Sequence, residues 1–288
     1  MLIPIWFFKK KQPNKFGNTK PKITPMPKFA ANLTTMFPEL EPPERFRAAA
    51  RAGFEAVEFL RPYDWGKEEV RGWLDDNGLK FLLLNTLGRN TATNDPGASI
   101  IPGREAEFRD IFDLALDYVT ALGGSMIHVT AGTVPDSLSL AECEGTFVGN
   151  LQAVAPIAAD AGIMLMLEPL NTQTVPGYLH TRTAHTRRII EAVGAVNVKL
   201  QYDFFHMQIM QGNHVEALAA DLDIIAHIQF SSVPGRHEPQ FGELNFTFLF
   251  NYLDKIGYDG WLGAEYNPRG DSWDGLSWAV PYGFNAEK

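Results

Sequence analysis

Short apolar runs alternate with longer amphipathic segments along most of the chain. Eight runs rich in Leu, Ile, Val, Phe and Ala predict strands, and each precedes a segment of helical length, although the eighth such segment is weakly signalled. The first helical segment opens on Pro42 and closes on Gly53, an asymmetry typical of helix ends. The predicted strands cover residues 29–33, 56–60, 80–85, 125–132, 163–168, 198–203, 224–230 and 260–266. The predicted helices cover residues 42–53, 67–77, 105–122, 138–161, 183–193, 205–220 and 247–257.

Eight strand–helix units indicate a parallel sheet covered by helices. The strands are continuously apolar, which is expected when both faces of the sheet are buried. Eight such units in about 260 residues predict an α/β fold of the (β/α)8 TIM-barrel type in a single domain. An open doubly wound sheet is the alternative. It usually carries a glycine-rich turn after its first strand, and the segment NLTTMFPEL has none.

The N-terminus differs from the rest of the chain in charge. Residues 1–28 contain seven lysines and no acidic residue, and removing them from the net charge of −9 leaves −16 on residues 29–288. We expect residues 1–27 to form a flexible basic extension and residues 28–288 to form the barrel. A basic arm for an anionic surface is the alternative. The acidic body argues against a nucleic-acid partner, which would require lysine and arginine stripes.

Composition narrows the class of protein further. No apolar run approaches the roughly 18 residues of a membrane span, so we expect no membrane association. Cys143 is the only cysteine, which excludes an intrachain disulfide and fits a cytoplasmic protein. Trp273 and Trp278 lie in an aromatic C-terminal segment. That segment is a candidate contact in a homo-oligomer, or it caps its own barrel.

Oxygen-bearing side chains stand at the ends of four successive predicted strands. They are Glu168, Asp203, Gln229 and Glu265, and the spacings of 35, 26 and 36 residues each approximate one βα unit. Active sites of TIM barrels lie at the C-terminal ends of the strands, so these side chains are predicted to converge. Three crowded carboxylates would repel one another unless a cation lay between them. Carboxylate and amide oxygens are hard ligands, which predicts Mn²⁺ or Mg²⁺.

Each of these residues also has a simpler interpretation. A single acid at a strand end is commonly a solvated loop residue or a helix N-cap. His206 is a candidate substrate contact because it lies three residues after Asp203, or else an ordinary residue of an early helical turn. Arg236 is within reach of the barrel mouth and would suit an anionic substrate, or it is an ordinary loop arginine. For His128 and Asn85, core or loop hydrogen bonding competes with substrate binding.

Several ordered segments resemble one family. LEPLNTQTVPGYL, QYDFFHMQIMQGN, AHIQFSSVPGRHEPQFGELNF and GWLGAEYNPRG together resemble the hydroxypyruvate isomerases of the sugar isomerase and epimerase superfamily. NLTTMF, AVEFL and IPGREAEFRD extend the likeness over nearly all of residues 28–273. The ketose epimerases of this superfamily carry a histidine where this chain has Gln229, and a glutamate where it has Thr174. Both differences favour the isomerase branch.

The resemblance implies a metal-dependent barrel enzyme. It assigns Glu168, Asp203, Gln229 and Glu265 as metal ligands, with Glu168 and Glu265 as the proton-transfer pair. The implied reaction interconverts hydroxypyruvate and 2-hydroxy-3-oxopropanoate through an enediolate. A four-carbon 2-oxo acid or a free ketose is the alternative substrate. Three other classes are a DNA-repair nuclease, which would need a histidine-rich zinc cluster and a basic face, a metal-free glycosidase and a pure binding protein.

Overall fold

Nine parallel strands form one sheet in the computed structural model, which describes residues 27–287. The strands are β1 (Lys28–Asn32), β2 (Ala56–Glu58), β3 (Lys80–Phe81), β4 (Leu83–Asn85), β5 (Met126–His128), β6 (Met164–Leu167), β7 (Val198–Asp203), β8 (Ile225–Phe230) and β9 (Trp261–Ala264). Their order in the sheet is β3-β2-β1-β9-β8-β7-β6-β5-β4. Because β3 and β4 are two segments of the third predicted strand, the two edges of the sheet are adjacent in sequence.

Leu82, between β3 and β4, closes the barrel. Its backbone N–H donates to the carbonyl of Val57 in β2 at 2.9 Å, and its carbonyl accepts from the N–H of Met126 in β5 at 3.1 Å. One residue therefore joins the two edges of the sheet. The predicted (β/α)8 TIM barrel is confirmed, with the third strand divided at the point of closure.

The predicted helices are also present, and one of them is divided. The helices are α1 (Pro42–Ala52), α2 (Lys67–Asn77), α3 (Glu105–Ala121), α4 (Leu140–Asp160), α5 (Thr183–Val193), α6 (Phe204–Met210), α7 (His214–Asp221), α8 (Phe246–Ile256) and α9 (Ser272–Gly275). The predicted helix 205–220 breaks because Gly212 and Asn213 adopt positive φ values of 60° and 48°, which a right-handed helix cannot accommodate. No helix within residues 27–287 combines the length and apolar composition that crossing a bilayer requires.

Alanine, leucine and methionine side chains fill one layer of the barrel interior. Ala30, Ala56, Leu83, Met126 and Met166 belong to one buried cluster, separate from the larger core between sheet and helices. Side chains alternate between the two faces of a strand. Asn32, Glu58, His128 and Glu168, two residues further along their strands, therefore point into the barrel above this layer.

The C-terminal segment packs on its own barrel. Trp278 is 8% exposed, and its ring centroid lies 5.1 Å from that of Phe29 and 5.2 Å from that of Phe230. Trp273, 7% exposed, contacts Phe37 with ring centroids 5.8 Å apart. Of the two predictions for this segment, the structure favours the cap. The basic extension predicted for residues 1–27 lies outside the described residues, apart from Pro27.

Candidate active site

The four predicted ligands lie at one end of the barrel. Glu168 directly follows β6, Asp203 ends β7, and Glu265 directly follows β9. Gln229 is the register partner of Asp203 across the β7–β8 pair, so both side chains face the same side of the sheet. All four are buried, with Glu265 the most exposed at 6%.

Arg236 joins two of the acids. Its Nη2 lies 3.0 Å from Oδ2 of Asp203 and 2.7 Å from Oε1 of Glu265. Its guanidinium also lies 5.0 Å from the ring centroid of Phe205, which favours a cation–π contact. Arg236 has a positive φ of 56°, an uncommon conformation for a residue with a side chain. Its side chain is thus held at the barrel mouth by contacts with three residues.

Burial perturbs the ionisation of all three acids. Burial, followed by the charges of Glu265 and Asp203, raises the pKa of Glu168 well above its usual value. Burial raises the pKa of Glu265 to about 8, although the nearby Arg236 opposes the shift. The pKa of Asp203 is raised by burial against the opposing effects of Arg236 and of the Phe205 N–H. The three carboxylates are therefore costly to ionise together without further positive charge.

The donor set fits a divalent cation. One carboxylate oxygen of Glu168, one of Asp203 and one ring nitrogen of His206 all lie within 4.8 Å of one another. Oε1 of Glu168 is buried and has no hydrogen-bond partner among the described residues. Three ionised carboxylates and one guanidinium leave two uncompensated negative charges, which one divalent cation would balance. Carboxylate oxygens are the ligands that Mg²⁺ and Mn²⁺ prefer.

Asp203 also caps a helix. Its side chain accepts a hydrogen bond from the N–H of Phe205 at 2.8 Å, at the start of α6. The other carboxylate oxygen, Oδ2, lies 3.6 Å from Nε2 of His206. The N-cap interpretation and the ligand interpretation of Asp203 are thus compatible, since each uses a different oxygen.

Gln229 takes part in a buried polar network that the sequence analysis did not find. Its Nε2 donates to Oε2 of Glu58 at 2.6 Å, and its Oε1 accepts from Nε2 of Gln201 at 2.6 Å. Glu58 also accepts from Nδ2 of Asn32 at 3.0 Å and lies 2.6 Å from Nε2 of His227. The available signal was a glutamate at the end of a fully buried strand, in the segment AVEFL.

His128 and Asn85 end the neighbouring strands β5 and β4, on the side of the mouth next to Glu168. They are register partners across β4 and β5, and Nδ1 of His128 lies 3.5 Å from Oε2 of Glu168. Both ring nitrogens of His128 and Oδ1 of Asn85 are buried without a hydrogen-bond partner among the described residues. Burial lowers the pKa of His128 to about 3, so its ring is neutral. These atoms are available to hydrogen-bond a bound molecule.

Comparison with known proteins gives a consistent picture. Residues 46–280 match the family model described as xylose isomerase-like TIM barrel. The chain is 44% identical to the 2-oxo-tetronate isomerase of Cupriavidus necator, over 89% of this chain and 99% of that protein. It is 38% identical to the hydroxypyruvate isomerase of Escherichia coli, over 89% of this chain and all of that protein.

One solved structure is similar in both fold and sequence. A Brucella melitensis protein, described as an AP endonuclease of family 2, superposes with a TM-score of 0.86 at 42% identity. The alignment covers 89% of this chain and 99% of that one.

Proposed function

Because the chain belongs to the family of xylose isomerase-like TIM barrels, we propose that it is a metal-dependent isomerase of small 2-oxo acids. The first candidate reaction interconverts hydroxypyruvate and 2-hydroxy-3-oxopropanoate. The observation that carries the proposal is the cluster of three acids at the barrel mouth, where Asp203 and Glu265 contact Arg236 and Glu168 lies beside Asp203. Both curated relatives described above are named as isomerases of such acids.

Glu168, Asp203, Gln229 and Glu265 would hold the cation, with Mn²⁺ or Mg²⁺ best matched to these oxygens. When bound, the cation supplies Lewis-acid polarisation of the substrate carbonyl and offsets negative charge that develops on its oxygen. Gln229 would contribute through the second lone pair of its amide oxygen, since one lone pair accepts from Gln201 and the amide nitrogen donates to Glu58.

The two glutamates move the carbon-bound proton. One carboxylate removes a proton from the carbinol carbon of hydroxypyruvate, and the electron pair of that C–H bond forms the carbon–carbon double bond of an enediolate. A proton is then delivered to the adjacent carbon by the other glutamate or by the same one. Without a metal, burial raises the pKa of Glu265 to about 8, and a bound cation would favour its ionised form, in which it can act as a base. Glu168 and Glu265 are therefore the catalytic pair of this proposal.

A second proton must pass between the two substrate oxygens. The hydroxyl of hydroxypyruvate becomes the carbonyl of the product, and its carbonyl becomes a hydroxyl. His206 is the proposed intermediary, because its Nε2 lies 3.6 Å from Asp203 and 3.8 Å from Glu168 at the same site. Arg236 is the proposed partner of the substrate carboxylate, and its buried Nε has no hydrogen-bond partner among the described residues.

A four-carbon 2-oxo acid is the second candidate substrate. The identity to the 2-oxo-tetronate isomerase is 44%, against 38% for the hydroxypyruvate isomerase. Asn85 and His128 offer unpartnered polar atoms that could bind the additional hydroxyl group. Hydroxypyruvate, a four-carbon 2-oxo acid and a free ketose, assayed side by side, would rank these substrates by kcat/KM.

A nuclease is a further class to test, since the Brucella melitensis relative is described as an AP endonuclease. The net charge of −16 on residues 29–288 opposes binding to a phosphate backbone. The candidate metal cluster of the described residues holds a single histidine, His206, whereas the nuclease hypothesis called for a histidine-rich zinc cluster.

The lone cysteine, Cys143, is buried and unpaired, and we propose the reducing cytoplasm as the location.

The decisive experiment follows aldehyde formation from hydroxypyruvate with Mn²⁺ or Mg²⁺. We expect turnover in the wild type and none after chelation or in the Glu168→Gln and Glu265→Gln variants. Glu44→Gln, on the exposed surface, is the matched control and should retain activity. Mn²⁺ added to chelated protein should raise its melting temperature, and the rise should be smaller in Glu168→Gln. Full activity in chelated protein or in either glutamate variant would refute the proposal.

A further inference from the structure

The backbone and side chain of Asn171 converge on one ring nitrogen of His206. The backbone N–H of Asn171 donates to Nδ1 of His206 at 3.0 Å, and Nδ2 of Asn171 lies 2.8 Å from the same atom. Nδ1 can accept these donors only if it carries a lone pair instead of a hydrogen. The proton of a neutral His206 ring must then lie on Nε2.

The orientation of the Asn171 amide is itself fixed. Its Oδ1 accepts hydrogen bonds from the N–H groups of Gln173 at 3.0 Å and Thr174 at 2.9 Å. This arrangement turns the amide nitrogen, and not the oxygen, toward His206. Asn171 is fully buried, so water does not compete for these hydrogen bonds.

The His206 ring is neutral in this environment. Nδ1 holds a lone pair for the two Asn171 donors, so the ring carries a single proton and no net charge. Its Nε2 lies 3.6 Å from Oδ2 of Asp203 and 3.8 Å from Oε1 of Glu168. The atom that faces the two acids is therefore an N–H group, which has no lone pair for a metal ion.

We propose that Asn171 is a positioning residue that holds His206 in the Nε2–H tautomer. His206 then acts as a hydrogen-bond donor at the site, and the cation is left to the oxygen ligands. The part of this inference that concerns a substrate oxygen rests on the proposed isomerase function. The tautomer itself does not, because it follows from contacts within the chain.

The tautomer can be measured directly in the resting protein. Proton–nitrogen correlation spectra of the histidine rings distinguish a protonated from an unprotonated nitrogen, and the His206→Gln variant identifies the His206 signals by their loss. In the wild type we expect an unprotonated Nδ1 and a protonated Nε2. A protonated Nδ1 in the wild type would overturn the proposal.

Asn171→Asp is the critical variant. Aspartate keeps an oxygen for the Gln173 and Thr174 N–H groups but places an acceptor beside Nδ1. We expect Nδ1 of His206 to become protonated and kcat to fall by roughly 100-fold or more, the usual contribution of a positioned proton-transfer group. Asn171→Ser keeps the backbone donor and a hydroxyl acceptor, so it should retain the wild-type tautomer and lose less than about 10-fold in kcat.

The matched control is Asn150→Asp in α4. Asn150 is buried, and its side chain donates to the carbonyl of Ser99 at 2.8 Å, away from the site. This variant bears the same cost of a buried charge, but it should leave the His206 tautomer and kcat unchanged. An Asn171→Asp protein with the wild-type tautomer and wild-type kcat would refute the positioning role. A wild type with the expected tautomer but no isomerase activity would refute the proposed function alone.

Discussion

Nη2 of Arg236 lies 2.7 Å from Oε1 of Glu265, and the same nitrogen also contacts Asp203 at 3.0 Å. One guanidinium thus shares a single positive charge between two of the three acids at the barrel mouth. Glu168 has no such partner, and its Oε1 is buried without a hydrogen bond from any described residue. Two negative charges are therefore left uncompensated, one on Glu168 and one shared by Asp203 and Glu265, and a bound divalent cation would balance both.

Replacing Arg236 with lysine should impair the site even though the charge is kept. A lysine ammonium could replace the one nitrogen that contacts Asp203 and Glu265, but it has no planar face to stack on Phe205 and no Nε to offer a substrate carboxylate. We expect kcat/KM to fall roughly tenfold or more, which corresponds to about 1.4 kcal/mol. Steady-state kinetics on hydroxypyruvate measures this. Arg109→Lys, in the exposed pair with Asp113, is the control and should change little. Equal kinetics in both variants would show that the planar guanidinium is dispensable.

The stability of the metal-free protein should fall as pH rises from 6.5 to 8. Burial raises the pKa of Glu265 from its ordinary value of 4.5 to about 8 in the fold. Between these values the folded state binds more protons than the unfolded state, so the free energy of unfolding decreases with pH. The contribution of Glu265 to the free energy of unfolding is complete below pH 4.5 and is lost as the pH rises to 8. The free energy of unfolding falls by at most about 1.4 kcal/mol per pH unit over this range.

Buried histidines restrict the useful window. Burial lowers the pKa of His128 and of His180 to about 3 and that of His214 to about 4. These histidines make stability rise with pH up to their unfolded pKa of about 6.5. Only above pH 6.5 does the pH dependence of stability therefore report the raised pKa of the glutamates without a contribution from these histidines. Urea unfolding at several pH values in chelator tests the prediction. Glu265→Gln should flatten the profile, and an unchanged slope in that variant would contradict it.

Glu58 is predicted to be essential for stability. It receives hydrogen bonds from Asn32 and Gln229 and pairs with His227, and both members of the Glu58–His227 pair are fully buried. Glu58→Ala leaves these partners unpaired, so we expect a loss of about 3–5 kcal/mol in the free energy of unfolding. Denaturant titration measures this loss.

A control variant and one further variant complete the test of this network. Glu44→Ala breaks an exposed ion pair with Arg47 and should cost about 1 kcal/mol or less. A Cβ at Gly263 would collide with Oε1 of Glu58 and lie 3.0 Å from Cγ of Gln229. Gly263→Ala should therefore destabilise the protein by displacing the Glu58 carboxylate. A Glu58→Ala protein as stable as Glu44→Ala would refute the assigned importance of the network.

The sequence predicts the fold well because the fold depends on local patterns. The apolar runs and the helix ends at Pro42 and Gly53 are properties of neighbouring residues, and they placed all eight strands. The break of one helix at Gly212 and Asn213 was not foreseen, because it depends on backbone conformation at two residues. The division of the third strand at Leu82 depends on closure against two distant strands.

The site was predictable only in part for a related reason. Acids at strand ends can be placed on the barrel mouth from their spacing, as with Glu168 and Asp203. The contacts between side chains cannot be obtained in this way. Sequence spacing does not reveal that one nitrogen of Arg236 reaches both Asp203 and Glu265, or that Asn171 turns its amide toward His206. These contacts depend on loop conformations that only the folded chain defines.

The side of the mouth formed by Asn85 and His128 should set the preference for substrate length. Oδ1 of Asn85 is buried and lacks a partner among the described residues, so a substrate hydroxyl could satisfy it. Asn85→Ala removes this acceptor, and a hydrogen bond contributes about 1 kcal/mol. We expect kcat/KM for a four-carbon 2-oxo acid to fall roughly fivefold more than that for hydroxypyruvate. Asn77→Ala, which removes a hydrogen bond to Trp73 at the end of α2, should leave the ratio unchanged. An equal fall for both substrates in Asn85→Ala would show that Asn85 does not contact the additional hydroxyl.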